Sequence, residues 1–497
     1  VSISIPRPRF ATLLASTAMG IYLLVVVGAT AAMADVTSAC GSWPLCQQAP
    51  SLAEPVLLVA WLHRVVALAV GVLTLWTVAV AFTSETVARR VKAALAGSVA
   101  LYGVQVGIGA VVATNGASAP FPMVHLVAGM GIFGGLTLAL AWHLEPRTGA
   151  DASEHAPVST GDAPDGTAGT DTPHGPGTAA EATAETDTAA EADATTASAA
   201  SAESGDSPTL GQRAYAYFRL MKPRLMWLLC LVASAGMALA ATTGAPLTVA
   251  TVAFTLSGGV LAIGASGTFN HVLERDVDKE MDRTSDRPVA THEIPVRNAV
   301  AFGLALAVVS VTVFLQLNPL AAVLGVTAIL FYSIVYTLLL KPNTVQNTVI
   351  GGAAGALPAL IGWAAVTGGI GLPGLALAGI VFVWTPAHFY NLALAYKDDY
   401  EKGGFPMMPV VRGEATTRKH ILLWLAATLL TATALAALTS LGWLYAATTT
   451  ALGAVFLWTV IRLHRERTEG AAFRAFHASN AYLGALLLAI VVDALAI

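Results

Sequence analysis

Thirteen apolar stretches of roughly bilayer length recur along these 497 residues, at about 11–33, 54–82, 89–113, 122–144, 224–243, 249–270, 298–316, 318–339, 346–366, 372–396, 420–440, 442–462 and 477–496. Each is close to the ~20 residues that a helix needs to cross a ~30 Å hydrocarbon core. In hydrocarbon a backbone must satisfy its own hydrogen bonds, which leaves helices and closed barrels. Only 11% of the residues are charged and 56% are hydrophobic, whereas water-soluble domains carry about 25% charge. The chain therefore reads as an all-α polytopic membrane protein. Its opening, VSISIPRPRFATLLASTAMG, has no small-x-small cleavage site and reads as a first span rather than a signal peptide.

Lysine and arginine set the expected orientation. They occur at Arg7 and Arg9, at Arg89, Arg90 and Lys92, and at Arg213, Arg219, Lys222 and Arg224. They recur at 275–297, at Lys341, at 397–419 and at Arg462, Arg465 and Arg467. The loops between, near 34–53, 114–121, 243–248, 317–318 and 367–371, have none. The alternation predicts a cell-membrane protein with a cytoplasmic N-terminus and an external C-terminus. Residues 146–210 break the pattern, being rich in Ala, Thr, Ser, Gly, Asp and Glu without one aromatic residue. Such a segment cannot bury enough apolar area to offset its ordering entropy, so a disordered acidic cytoplasmic linker is expected. It separates a four-helix transmembrane bundle (1–145) from a nine-helix bundle (211–497). The net charge of −4 says little, since the linker supplies much of the acid. The lipid bilayer is the implied partner, and nothing implies nucleic acid.

Charge is concentrated where one apolar run ends, in NHVLERDVDKEMDRTSDRP (270–288). Asn270, Glu274, Asp278 and Asp282 are spaced by four, so a continuing helix would put them on one face. Carboxylates so close repel one another unless a cation lies between them, and oxygen ligands suit Mg²⁺ with substrate phosphates. Arg275, Lys279, Arg283 and Arg287 could reach those phosphates. The other reading is a loop salt-bridged to itself and to headgroups. A second cluster, WTPAHFYNLALAYKDDYEKGGFPMMPVVRG (384–413), brings His388, Asn391, Lys397, Asp398 and Asp399 to the same expected side. Two such helix ends facing each other would form a two-sided clamp for a metal diphosphate.

Four segments carry a resemblance: YFRLMKPR (217–224), 270–288, YTLLLKPNTVQNTVIGGAAGALPALIGWAAVTG (336–368) and WTPAHFYNLALAYKDDYEKGGFPMMPVV (384–411). Residues 211–497 resemble the UbiA superfamily of intramembrane prenyltransferases, and within it the protoheme IX farnesyltransferases, or heme O synthases. The order of motifs and the nine helices agree. The family usually has Asp where this sequence has Glu274, so the carboxylate is kept on a longer arm. The resemblance implies Mg²⁺ held by Asn270, Glu274, Asp278 and Asp399, with Asp398 alongside. It implies farnesyl diphosphate and protoheme IX as substrates, with Lys222, Arg275, Lys279, Arg283, Arg287 and Lys341 on the diphosphate oxygens. A protoheme vinyl group would attack the allylic cation, and water would complete the side chain of heme O. Tyr332, Tyr336, Trp363 and Trp384 either line that cation's path or simply pack. His388 either ligates or orients heme or is a hydrogen-bonded structural histidine. Asn347 either touches diphosphate or metal or caps a helix. Gly351, Gly352 and Gly355 read as close-packing positions. A quinone or lipid-precursor acceptor is the alternative within the fold. A transporter is the alternative outside it, but its ionisable groups would be expected at mid-membrane.

In the first unit, His63 and His125 lie near the outer ends of spans two and four. They are either a bis-imidazole heme site or two histidines bonded to carbonyls. Cys40 and Cys46 share one outer loop, ACGSWPLC, where a disulfide is permitted, and two free thiols are the other reading. Cys230 reads as packing. CGSWPLC, WLHR and VHLVAG on four helices resemble one half of heme A synthase. Ala60 stands where the family's oxygenating half commonly has Glu, which puts heme A formation by this chain in doubt. The resemblance implies a heme-binding or heme-delivering role. It implies heme A synthase or terminal oxidase assembly factors as partners.

Overall fold

The computed structural model describes residues 10–33, 40, 42–51, 53–115, 120–146 and 209–496. The expected linker therefore lies, but for its ends, outside the described residues, as do Arg7 and Arg9. Among the described residues every regular element is helical, and thirteen helices are long and apolar enough to cross a membrane.

The first unit holds α1 (Phe10–Met33), α2 (Pro55–Thr83), α3 (Arg89–Asn115) and α4 (Phe121–Leu144). The second opens with a short helix, α5 (Leu210–Leu220), that the span count does not include. Thr209 and Gln212 form a reciprocal capping box at its start, satisfying two otherwise unpaired backbone donors. Then come α6 (Pro223–Ala241), α7 (Val249–Leu273), the single turn α8 (Arg275–Asp278) and α9 (Val296–Leu315). The eighth span is α10 (Pro319–Leu330) continued by a π-helix, Phe331–Leu340, where the sequence suggests uninterrupted α-helix. Its wider turn lets Thr337 Oγ1 donate to the Tyr332 carbonyl at 2.9 Å. Such π segments are often found at functional sites. The chain continues through α11 (Asn347–Thr367), α12 (Leu372–Ala395), the short helices α13 (Lys397–Lys402) and α14 (Met408–Arg412), then α15 (Glu414–Leu438), α16 (Trp443–Glu466) and α17 (Glu469–Ala496).

Helix α7 packs on α6 and α11 and α10 on α11, with α9 against α7 and α10. Helix α15 packs on α12, α17 on α12 and α6, and α16 on α15 and α17. The α6–α11 crossing is close because of two glycines. A Cβ on Gly362 would come within 2.1 Å of the Ala233 carbonyl oxygen, and one on Gly236 within 2.5 Å of that of Ala359. Of the three glycines singled out in the sequence, a Cβ on Gly352 would meet the Phe382 carbonyl at 2.9 Å and one on Gly351 the Tyr336 ring at 2.6 Å, while Gly355 has only ordinary contacts.

The two units are joined. Helices α1 and α4 pack against α15 and α16, and one apolar core runs from Ala11 to Ala494. Polar ties also cross the junction, among them a bond from Arg465 Nη2 to Thr12 Oγ1 at 2.8 Å. Tyr22 OH lies 3.0 Å from Thr449 Oγ1, which lies 3.0 Å from Tyr482 OH. At the charged end, Arg418 Nε donates to Glu145 Oε1 at 2.7 Å, both side chains being 5% exposed.

Candidate active site

The backbone of α7 keeps its one-turn rhythm past the last apolar residue. Glu274 N donates to the Asn270 carbonyl at 2.9 Å, and Asp278 N to that of Glu274 at 2.8 Å. Asn270, Glu274 and Asp278 therefore share one buried face. Turns after Lys279 end the rhythm, so the fourth residue of the spacing, Asp282, leaves it. Its carboxylate is 82% exposed and pairs with Lys402 at 2.7 Å.

Carboxylates at a helix C-terminus oppose its dipole, so this face needs cations. Lys341 Nζ lies 2.6 Å from Glu274 Oε1. Arg287 Nη1 donates to Asp278 Oδ1 and Oδ2 at 2.8 and 2.9 Å and lies 3.6 Å from Glu274 Oε2. Lys222 Nζ donates to Asn270 Oδ1, whose amide donates to Thr337 Oγ1. Lys222 reaches this point from a left-handed turn (φ 56°), folded tightly against Gly267, where a Cβ would come within 2.8 Å of the Leu220 carbonyl oxygen. Burial lowers the Lys222 ammonium to about 7, with Arg287 adding to the effect and Glu274 opposing it. Burial pushes the Glu274 carboxyl up, but Lys341, Lys222 and Arg287 together hold it below its ordinary range. At Asp278 burial prevails over Arg287 and the carboxyl is raised.

The opposing cluster is at the end of α12. Asp399 Oδ1 accepts from Asp282 N at 2.7 Å, while its buried Oδ2 has no partner among the described residues. Asp398 is exposed at the rim. Arg283 Nη2 donates to Tyr400 OH at 3.2 Å, and its guanidinium lies 5.1 and 5.4 Å from the Tyr396 and Tyr400 ring centres. Both clusters open on one cavity of about 2660 Å³, lined by Lys222, Asn270, Glu274, Arg283, Arg287, Lys341, Asp398 and Asp399 at its charged end. Deeper, Tyr332, Tyr336, Trp384 and many aliphatic side chains line it.

Several expected site residues lie elsewhere. Arg275 and Lys279 both turn to the exposed Asp276, at 3.1 and 3.6 Å, because positions one and five after Glu274 fall off its buried face. Neither lines the cavity. Asn347 is the first residue of α11, one past the cap position that Gln346 occupies. It is buried beneath the cavity wall, with Thr348 Oγ1 donating to its Oδ1 and its Nδ2 donating weakly to the Lys341 carbonyl at 3.5 Å. Trp363 packs at the far end of α11, where Cβ atoms on Gly371 and Gly374 would strike its ring. Asn391 is fully buried and donates to the Ala387 carbonyl. Lys397 does line the cavity, paired there with Glu414 at 3.2 Å. Sequence reasoning missed Tyr396, Tyr400 and Phe405, the ring over which Lys341 sits at 4.2 Å. It also missed Arg418 and Glu145. An acid at the very end of a span was the available signal.

His388 lines the cavity between Trp384 and Phe476, each ring centre 4.3 Å away. Its Nδ1 lies 2.7 Å from Ser479 Oγ. The single Ser479 hydroxyl proton goes to the Phe476 carbonyl at 2.6 Å. His388 Nδ1 must then donate, which leaves the lone pair on Nε2.

In the first unit Cys40 and Cys46 are joined by a disulfide. Arg64 donates to the Cys40 and Pro44 carbonyls, and Ala60 is buried beneath the bridge. His63 and His125 each have a buried Nδ1 without a partner among the described residues. The His63 ring lies against Gly28 and the His125 ring against Gly109, where there is no side chain to crowd them.

No three His, Cys, Asp or Glu side chains gather as a metal-ready group among the described residues. The oxygen donors stand in two halves instead, Asn270, Glu274 and Asp278 under their cations and Asp399 across from them. The unpartnered Asp399 Oδ2 and the all-oxygen donor set fit a hard divalent ion bridging to phosphate.

The UbiA prenyltransferase family model matches residues 228–484. The chain is 61% identical to a protoheme IX farnesyltransferase of Haloarcula marismortui over 98% of this chain and 99% of that protein. It is 59% identical to protoheme IX farnesyltransferase 1 of Natronomonas pharaonis, over 98% and 99%. A solved UbiA homolog from Archaeoglobus fulgidus bound to GPP and Mg²⁺ aligns with a TM-score of 0.43 at 17% identity, covering 56% of this chain and 99% of that one. This chain belongs to the UbiA prenyltransferase family.

Proposed function

We propose that this chain transfers a farnesyl group from farnesyl diphosphate to a vinyl group of protoheme IX, giving heme O and diphosphate. The relatives at 61% and 59% identity over nearly the whole chain bear the name of that activity. The observation that carries the reading is the cavity itself. Its charged end sets Lys222, Lys341, Arg283 and Arg287 among Asn270, Glu274 and Asp399, with Asp278 buried under Arg287, and its interior is apolar. A polyanionic head and an isoprenoid tail have opposite needs, and this site meets both.

Magnesium held by Asn270, Glu274 and Asp278 on one side and Asp399 on the other would neutralise the diphosphate as its charge develops. Lys222, Lys341 and Arg287 now neutralise the carboxylates and are within reach of the same phosphate oxygens. Arg283, braced by Tyr396 and Tyr400, covers the other wall. The C1–O bond breaks with its electron pair leaving on the diphosphate. Tyr332 and Tyr336, with ring centres 5.5 Å apart, and Trp384 give the allylic cation an electron-rich wall. The vinyl carbon bonds to C1, water adds to the resulting side-chain cation, and its proton passes to solvent. By the basic-residue alternation the charged end faces the cytoplasm of a cell-membrane protein.

His388, with Nδ1 committed to Ser479, offers Nε2 to the porphyrin iron. His63 and His125, each with a buried Nδ1 lacking a partner among the described residues, would hold a second, resident heme. A quinone or lipid-precursor acceptor remains the competing reading of the fold. Mass analysis of hemes extracted from membranes containing this chain, Asp278→Ala or Asp399→Ala decides the transferase. A farnesyl-hydroxyethyl heme is expected only with the unsubstituted chain, and unmodified protoheme throughout refutes the reading. For the resident heme, the Soret band of the purified full chain should fall in His63→Ala. An unchanged band there removes the assignment.

A further inference from the structure

The cavity has a second cationic region that the diphosphate clamp does not use. Arg418, near the start of α15, and Arg467, which ends α16 in a left-handed conformation (φ 54°), both line it. They stand on α15 and at the end of α16, whereas Asn270 is on α7, Glu274 directly follows it and Lys341 ends the π-helix. Arg418 is held by Glu145 at 2.7 Å and Glu414 at 3.5 Å. Arg467 is 58% exposed, its nearest carboxylate oxygen is Glu145 Oε2 at 4.0 Å, and its Nε donates to the His464 carbonyl at 3.3 Å. Its remaining guanidinium donors can turn to an incoming anion.

One face of α17 runs inward from this region. Glu469, Phe473, Phe476, His477, Asn480 and Leu483 recur at three- and four-residue spacing, and all line the cavity. At 1.5 Å per residue, Phe476 lies about 10 Å along the helix from Glu469. Phe476 is the ring that stacks on His388. A cationic rim thus adjoins an aromatic wall, both on helices α15–α17, which carry none of the clamp residues. In protoheme the two propionates occupy one edge of the macrocycle and the vinyl groups lie off that edge. A porphyrin anchored by its propionates at this rim would extend its vinyl side across the cavity, toward the clamp.

We propose that Arg467 and Arg418 form a carboxylate-binding site for the two propionates of the porphyrin acceptor, and that this site directs the vinyl side toward farnesyl C1. The inference rests on the heme-acceptor reading above. Glu145 belongs to the first unit, so that unit fixes Arg418 at the mouth of the catalytic cavity.

The test compares iron protoporphyrin IX with its dimethyl ester as acceptor, using the full chain in detergent with farnesyl diphosphate and Mg²⁺. The unsubstituted chain should show a KM at least about tenfold lower for the diacid than for the ester, as loss of charge-assisted hydrogen bonds worth ~1.5–3 kcal/mol implies. Arg467→Gln, at a half-exposed position that folding tolerates, should raise the KM for the diacid and remove most of the preference, with KM for farnesyl diphosphate unchanged. Arg467→Lys should restore part of it. Equal KM values for acid and ester in the unsubstituted chain overturn the proposal, as does an undiminished preference in Arg467→Gln. Absence of transfer to protoheme itself overturns the acceptor reading and this site with it, and it is seen before any ester or variant is used.

Discussion

Glu145→Ala isolates the joint between the two units. The Glu145–Arg418 pair is 2.7 Å long with both side chains 5% exposed. Removing one partner of such a pair leaves a buried uncompensated charge, at a cost of about 3–5 kcal/mol. Arg418 keeps Glu414 at 3.5 Å, but that carboxylate is 46% exposed, and a solvent-screened pair returns only about 0.2–1 kcal/mol. The net loss should be about 2–5 kcal/mol. Denaturant titration in detergent, followed by tryptophan fluorescence, should show a clearly lowered midpoint for Glu145→Ala and almost none for Glu414→Gln. The double change Glu145→Leu with Arg418→Met should regain most of the loss, because replacing both charges with apolar side chains removes the desolvation penalty. Equal midpoints for Glu145→Ala and Glu414→Gln would refute the reasoning.

The cationic residues should divide sharply in the transferase assay. Arg287→Gln removes the partner of Asp278 and Glu274 and should lower kcat/KM for farnesyl diphosphate by about 100-fold or more, the scale of losing one preorganised charge donor. Arg275→Gln and Lys279→Gln, whose carboxylate partner is the exposed Asp276, should stay within about twofold, since exposed pairs contribute little. Equal losses at all three would show that the charged segment rearranges on binding. Stripping divalent ions with EDTA should abolish turnover, and Mg²⁺ should restore it, as measured by diphosphate release. Activity that survives chelation would remove metal from the site. Gly362→Ala should destabilise the chain by roughly 1–3 kcal/mol, because the atom it would strike, the Ala233 carbonyl oxygen, is backbone. Gly259→Ala, with nothing within 4 Å of the added Cβ, is the control and should melt like the parent. Matching shifts in the two variants would place the α6–α11 crossing elsewhere.

The span count was legible because backbone in hydrocarbon permits so little besides helix, and all thirteen apolar stretches correspond to helices. The four-residue spacing at 270–282 predicted a shared face, and the chain keeps it through Asp278. The turn at 279–286 that sends Asp282 to Lys402 has no comparable periodic signal. Charge type was legible too, but charge direction was not. Arg275 and Arg287 look equivalent in the sequence, yet one meets Asp276 and the other Asp278, because helix phase turns Arg275 off the buried face while the turns at 279–286 bring Arg287 back onto Asp278. Trp363 and Trp384 look equally suited to the cavity wall, and only their positions along α11 and α12 separate packing from lining.

The sequence alone determined that the chain is a multi-helix membrane protein with acidic and basic residues at one set of helix ends. Those properties follow from hydrophobic length and local spacing, which a linear pattern records. The tertiary structure decided which of these groups meet. Lys222, Asn270 and Lys341 are far apart in the chain, as are Glu145 and Arg418. Their pairing depends on how helices cross, at glycines such as Gly236 and Gly362 where backbones approach. It also decided that the two units share one core, since α1 and α4 bury against α15 and α16, across a junction with no continuous sequence of its own.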